Sequence, residues 1–262
     1  LVRILGRLSR RSLISIPGLS KRRVETLPFA ALTLERLLRL AKPDRIVFSA
    51  FGLREGHLFS VLPAAEKAKD PLVSACIEFA EADSRFGDQG RLLQDWVEPL
   101  FRDDDAEARR LRLATCALSD IGWRDHPDYR AEQVFTRILR LPIAGIDHKG
   151  RVAIAHAVYV RYGGEPDIPS IDSILAMLDE DAREHWRTVG LALRLAYALS
   201  AATPAILKRS AVTVTDGRVN LRLPKGHDAL LGEAVERRLQ ALATALGKSA
   251  AVVVGRERRR SS

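Results

Sequence analysis

The spacing of apolar residues changes along this chain, and its first 63 residues combine two predicted strands with two predicted helices. Residues 12–16 and 45–50 are short apolar runs rich in β-branched side chains, which predict buried strands. Between them, apolar residues recur at helical spacing from residue 23 to residue 42. A second helix is predicted over residues 53–62. Residues 12–63 therefore read as a β-α-β-α piece of an α/β sheet.

The next stretch, residues 64–187, shows helical spacing almost throughout. Its apolar stripes are separated by helix breakers such as Pro142 and Gly163-Gly164. Helices of this kind bury their stripes against one another, so a compact all-helical domain is predicted. The clearest stripes cover residues 72–80, 92–100, 111–118, 134–139 and 154–162.

The last part, residues 188–262, changes character after a helix over residues 187–201. Asp216-Gly217 is a favoured two-residue type I′ turn between two alternating apolar segments, which predicts a β-hairpin. A helix over residues 228–246 and a strand over residues 250–254 complete a small α+β domain. In the hairpin two apolar cross-strand pairs share one face: Val214 with Val219, and Val212 with Leu221.

The turn after the second predicted strand is the first candidate site. Gly52 breaks the strand and a helix begins at once, so free backbone N–H groups at the helix start favour an anion. Arg54 and Glu55 lie in the first helical turn, where a charged ligand could be held. A tight connection with no ligand would use the same glycine, and spacing alone leaves both interpretations open.

Charge is concentrated at the beginning of the chain. Residues 1–63 carry 12 Lys and Arg against 4 Asp and Glu, within a net charge of +9 for 262 residues. Such a basic region suits a polyanion, or it forms a solvated face. A second basic run, residues 256–260, is typical of a disordered tail.

Composition narrows the class of protein. With 47% hydrophobic and 29% charged residues, and no apolar run approaching the length of a membrane span, a globular protein without a transmembrane helix is predicted. Cys76 and Cys116 each lie in a helical apolar pattern and are expected to be reduced core residues of a cytoplasmic protein. His126, His148 and His156 follow no metal-ligand spacing, so no metal site is predicted from them.

Two segments resemble a known family. Residues 50–56, Ala-Phe-Gly-Leu-Arg-Glu-Gly, resemble the Y-G-L-R-E-G signature of the exopolyphosphatase and guanosine pentaphosphate phosphatase family. Residues 16–25 resemble that family's s-K-x-R-A-D segment, with Val24 and Glu25 in place of its Ala and Asp. The order and spacing of both segments also fit the family.

The helical region is similar to HD-type phosphohydrolases, to which the family's third domain is related. Leu118-Ser119-Asp120-Ile121-Gly122 resembles their L-H-D-I-G block, with Ser119 in the position of the metal-binding His. Phe86 stands where an earlier His would be. Because neither side chain replaces an imidazole ligand, no HD metal centre is expected.

The resemblance implies a fold in three parts. Residues 1–63 would be the C-terminal part of a ribonuclease-H-like lobe of the actin–hexokinase superfamily. Residues 64–187 would be an HD-like helical domain, and residues 188–262 a small α+β domain with a basic tail. The family's D-x-G-x-x-S and D-x-G-G-G-S loops and its catalytic Glu are not found in this sequence. We therefore expect a C-terminal portion, inactive alone and with no catalytic residue of its own.

The resemblance also implies a function: release of terminal orthophosphate from inorganic polyphosphate by Mg²⁺-assisted attack of water. Mg²⁺ is implied by the family and by no ligand set in this chain. A cytoplasmic homodimer without a membrane or a specific nucleic-acid partner is expected. The implied phosphate-binding residues are Arg23, Glu25, Gly52, Arg54, Glu55 and Gly56, the two arginines as donors and the two glutamates to orient them or hold metal-bound water.

Two other functions remain open. The same residues would serve a guanosine pentaphosphate phosphohydrolase, and the family's sequences do not separate the two substrates here. A non-enzymatic basic module that binds RNA is the third hypothesis. It is disfavoured because aromatic residues make up only 6% of the chain and do not interleave with the basic cluster.

Overall fold

The computed structural model describes residue 5 and residues 7–16, 19–49, 51–201, 203–224 and 226–255. The chain separates into two compact units, Leu1–Val61 and Leu62–Ser262, and each is described by itself. The predicted three-domain division at residues 63 and 187 stays a prediction. The basic run at residues 256–260 lies outside the described residues.

The first unit is helical and has a small core. Its elements are α1 (Arg10–Ile14), a 3₁₀ helix (Lys21–Arg23), α2 (Leu27–Ala41) and α3 (Leu53–Ser60). Pro28 lies in the first turn of α2, and Lys42 ends that helix in the left-handed region with φ 42°. Among the described residues of this unit, the buried apolar side chains are Leu5, Leu13, Val24 and Ala31.

The two strands predicted for this unit are wrong in the described residues. Residues 10–14 form α1 instead, because the Ser9 hydroxyl accepts a hydrogen bond from the Ser12 amide at 3.1 Å and starts a helix. Residues 45–49 are exposed and belong to no strand, and Ala50 lies outside the described residues. A strand needs a neighbour to satisfy its backbone, and no strand occurs in the described part of this unit. The ribonuclease-H-like lobe is therefore not observed.

The second unit is mostly helical, as predicted. Its helices pack around two long central ones, α9 and α11, whose apolar residues bury most of their surfaces. The helices are α4 (Ala64–Lys67), α5 (Pro71–Asp83), α6 (Gly90–Val97), a 3₁₀ helix (Glu98–Leu100), α7 (Ala106–Leu118), α8 (Arg130–Arg140), α9 (His148–Arg161), α10 (Pro169–Leu175), α11 (Glu180–Ser200), α12 (Pro204–Arg209), a 3₁₀ helix (Asp228–Leu230) and α13 (Glu233–Ala245).

A glycine sets the close crossing of the two central helices. A Cβ atom added to Gly190 of α11 would lie 2.4 Å from the backbone oxygen of Ala157 in α9. Any side chain at this position would therefore push the helices apart. The buried residues of the central helices and those of the small sheet belong to one continuous apolar core.

The small sheet confirms the predicted hairpin and its register. Strands β1 (Ala211–Thr215) and β2 (Arg218–Pro224) pair antiparallel, with Val214 opposite Val219 and Val212 opposite Leu221. Asp216 and Gly217 have φ 51° and 71°, as a type I′ turn requires. Strand β3 (Ser249–Gly255) pairs parallel to β2, after the crossover through α13.

Two further sequence expectations concern the cysteines and the membrane. Cys76 and Cys116 are buried free thiols, and burial raises the pKa of each to about 12, so neither is a ready nucleophile. Within the described ranges, no helix is both long enough and apolar enough to span a bilayer.

Candidate functional site

Helix α3 starts directly after Gly52, as predicted, and a side chain of the same helix caps its N-terminus. Gly52 precedes the helix with φ −107° and ψ −164°. Its amide donates a hydrogen bond to Oε2 of Glu55 at 2.6 Å. Hydrogen bonds from the backbone amides of Glu55 and then Gly52 lower the pKa of the Glu55 carboxyl group. Glu55 therefore satisfies a helix N-terminus that would otherwise accept an external anion.

Arg54 lies beside this capped turn and faces solvent. It has no hydrogen-bond or ion-pair partner among the described residues, so its guanidinium group is available to a ligand. Gly56 is also exposed, and a Cβ atom added there would meet nothing within 4 Å. No close approach within the described chain requires glycine at position 56.

The upstream segment is not arranged as the resemblance implies. Arg23 is exposed at the end of the short 3₁₀ helix Lys21–Arg23. Glu25 forms an ion pair with Arg10 at 2.8 Å, and both side chains are more than two-thirds exposed. Glu25 therefore orients Arg10 and not the predicted arginines. In the part of the chain that the structure describes, no hydrogen bond or ion pair joins Arg23 or Glu25 to the turn at Gly52–Gly56.

Ser119 and Asp120, the remnant of the HD block, lie buried at the end of α7. The Ser119 hydroxyl donates to the Cys116 backbone oxygen at 2.6 Å and lies 2.9 Å from the hydroxyl of Tyr197. Asp120 is only 5% exposed. Its carboxylate accepts hydrogen bonds from Arg161 Nη2 and from the Arg85 amide, each at 3.1 Å.

Sequence reasoning missed Arg161, which neutralises the buried Asp120. Its guanidinium carbon lies 3.8 Å from the ring centroids of both Tyr162 and Tyr197, so the cation is held between two aromatic rings. Arg161 follows Asp120 by 41 residues, and no local pattern links them. Phe86, at the other expected HD position, is 56% exposed.

The described parts of both units contain no obvious set of metal ligands. Among those residues, no group of three or more His, Cys, Asp or Glu side chains could hold a metal ion. His126 lies exposed beside Asp128, whereas His156 is buried in α9. The two histidines therefore have different environments and do not share a site.

Comparison with known families identifies the relationship. A family model described as "Exopolyphosphatase, C-terminal" matches residues 72–253, well over half of the chain. The chain belongs to this family. The matched region lies in the second unit, so the signature at residues 50–56 and its phosphate-binding role remain a prediction. A search of curated proteins finds no match.

Proposed function

We propose that this exopolyphosphatase-family chain serves the removal of terminal orthophosphate from inorganic polyphosphate by attack of water. The observation that carries the proposal is the family match over residues 72–253. The first unit supports it independently, because its sequence is strongly basic and residues 50–56 resemble the family signature. A polyanion would be attracted to such a region.

Arg54 is the residue proposed to bind phosphate most directly. It is exposed, unpaired within the described residues, and next to a carboxylate that is already held by the Gly52 amide. Glu55 forms no ion pair with Arg54 in the described part of the chain, so it does not neutralise that guanidinium group directly. Arg23, also exposed, is proposed as a second donor.

The proposal assigns neither the catalytic base nor Mg²⁺ to residues of this chain. Among the described residues, no group of three or more His, Cys, Asp or Glu side chains could hold a metal ion. The chain's contribution in this proposal is substrate binding. A cytoplasmic homodimer, implied by the resemblance, is part of the same proposal.

A titration with polyphosphate tests the role of Arg54. The chain and its Arg54→Gln variant are titrated at constant ionic strength, and we expect the variant to bind about tenfold more weakly or worse, because a charge-assisted hydrogen bond is lost. Arg45→Gln is the matched control: it removes the same charge from an exposed residue outside the turn. Equal losses in both variants would contradict a specific phosphate contact at Arg54.

The same titration separates the two alternatives. Guanosine pentaphosphate would be favoured as the substrate if it displaces polyphosphate, binds more tightly than polyphosphate, and loses affinity in the Arg54→Gln variant. A basic RNA-binding module instead predicts RNA affinity that falls steeply with salt and is the same in the Arg54→Gln and Arg45→Gln variants.

A further inference from the structure

The second unit contains a cavity that the signature turn does not involve. It has a volume of about 420 Å³ and lies between α9, α10, α11 and the loop at residues 163–168. This volume is in the range of small-molecule sites. One part of its wall is apolar, formed by Ile168, Ile171 and Leu191.

The loop that borders the cavity is held in place by close packing. Gly163 has φ 84°, and a Cβ atom added there would lie 2.3 Å from Nη2 of Arg194. A Cβ atom on Gly164 would lie 2.2 Å from the ring of Tyr159. The Tyr159 hydroxyl donates to the Glu165 backbone oxygen at 2.7 Å. These contacts place the guanidinium of Arg194 at the wall of a preformed cavity.

Arg194 is a cation without a counter-ion. It is half-buried and lines the cavity, and it makes no hydrogen bond or ion pair with any described residue. Burial, followed by the nearby charges of Arg238, Arg237 and Arg161, lowers the pKa of its guanidinium group. An uncompensated charge in such surroundings is unfavourable unless an anion joins it.

The other arginines of the cavity already have partners. Arg187 binds both carboxylate oxygens of Glu184 at 2.7 Å. Arg183 lies 3.6 Å from Asp172. Glu180 also lies 3.8 Å from Arg183, whereas Glu165 and Asp167 of the loop make no ion pair with any described residue. Arg194 is therefore the arginine of this cavity without an acidic partner among the described residues.

A buried histidine supplies a second, independent sign of a ligand. His156 lines the same cavity and is 7% exposed, yet neither ring nitrogen has a hydrogen-bond partner among the described residues. Burial, then the charges of Arg183 and Arg187, lowers its pKa to about 4, while Glu184 acts in the opposite direction. At neutral pH the imidazole can donate one hydrogen bond and accept another. A buried polar group left unpaired costs free energy that a bound partner would recover.

We propose that this cavity binds a small organic anion, with a carboxylate or phosphate against Arg194 and an apolar body against Ile168, Ile171 and Leu191. The hydrogen-bonding capacity of His156 would be used by a polar group of the same ligand or by a water that it orders. The site is separate from the polyphosphate contacts proposed in the first unit, and it does not depend on them.

Calorimetric titration of the full chain with phenyl phosphate, benzoate, inorganic phosphate and uncharged benzyl alcohol tests the proposal. We expect phenyl phosphate or benzoate to bind, and comparing their affinities shows whether a phosphate or a carboxylate is preferred. The Arg194→Gln variant should weaken that binding about 10- to 100-fold, because a charged hydrogen bond is lost. Arg187→Gln, which removes an arginine of the same cavity that is already paired, should change it less than about threefold.

A second readout locates the ligand. The side-chain NMR signals of His156 should shift on addition of the bound anion in the wild type and in Arg187→Gln, and in Arg194→Gln only at correspondingly higher anion concentrations. Circular dichroism checks that each variant is folded. Four results would each overturn the proposal: no binding of either aromatic anion, equal binding of benzyl alcohol, equal binding of inorganic phosphate, or equal losses in the two arginine variants.

Discussion

Two regions of this chain that both carry apolar residues differ in how far those residues are buried. Residues 150–160 in α9 are almost entirely buried, whereas residues 41–49 and 51–69 are exposed throughout. Val158 is 0% exposed, but Phe48 is 83% and Leu53 is 91% exposed. An apolar pattern is buried only where the chain supplies a matching surface, and residues 53–60 form α3 although none of them is buried. For α9 that surface comes from α7, α8, α10 and α11.

The largest expected difference between the two regions is in hydrogen exchange. Amides of α9 should exchange only on global unfolding, whereas amides of α3 (Leu53–Ser60) open locally because no residue of that helix is buried. We expect α9 to exchange at least about 10³-fold more slowly, measured by mass spectrometry of the full chain. Similar rates in the two helices would contradict the contrast.

A buried ion pair in the second unit and an exposed one in the first should differ in their contribution to stability. Arg112 is fully buried, hydrogen-bonds Glu98 and lies 3.1 Å from Asp104. Arg112→Met should lower the free energy of unfolding by about 3–5 kcal/mol, because it leaves Asp104 buried and without that cation. Arg10→Gln breaks the exposed pair with Glu25 and should cost about 0–1 kcal/mol.

Urea denaturation measures both effects. Arg109→Gln is the matched control in the second unit, because Arg109 pairs with the same Glu98 at 3.3 Å but is 48% exposed in its side chain. Its loss should also stay near about 0–1 kcal/mol. If Arg112→Met were as mild as Arg109→Gln, burial would not be the cause of the difference.

A third difference is a pH dependence that belongs to the second unit. Burial lowers the pKa of His156 from its ordinary value of 6.5 to about 4 in the folded chain. Above pH 6.5 the group is neutral in both states and has no effect. Between pH 6.5 and pH 4 the imidazole binds a proton in the unfolded chain but not in the folded chain. The free energy of unfolding therefore falls as the pH decreases, by about 3 kcal/mol at most.

The His156→Leu variant isolates this contribution. Unfolding free energies of wild type and variant are compared from pH 7.5 to pH 4, with the difference at pH 7.5 as the baseline. The unfolding free energy of the wild type should decrease relative to that of the variant as the pH decreases. A constant difference across that range would contradict a depressed pKa for His156.

The sequence predicted best those features that depend on neighbouring residues. The hairpin was predicted with its register because Asp216-Gly217 selects a type I′ turn and the flanking strands alternate. The helical character of the second unit followed from stripes such as Val134, Phe135 and Ile138, all buried in α8. Both signals lie within a few residues of the element that they predict.

Features that depend on distant residues were wrong or missed. The strands at residues 12–16 and 45–50 were predicted from β-branched runs, but a strand requires pairing that no local pattern supplies. The start of a helix directly after Gly52 agrees with the prediction, whereas the ion pair of Glu25 with Arg10 was not expected. The cavity beside Arg194 could not be predicted either, because it forms where three helices and a loop converge.

We propose that this chain binds polyphosphate and that the groups that cleave polyphosphate are not among its residues. The most direct test measures orthophosphate released from polyphosphate by the purified 262-residue chain with Mg²⁺ present. We expect Arg54-dependent binding and no release above the rate in buffer. Release that increases in proportion to the amount of chain, and that copurifies with it, would show that the chain cleaves polyphosphate itself.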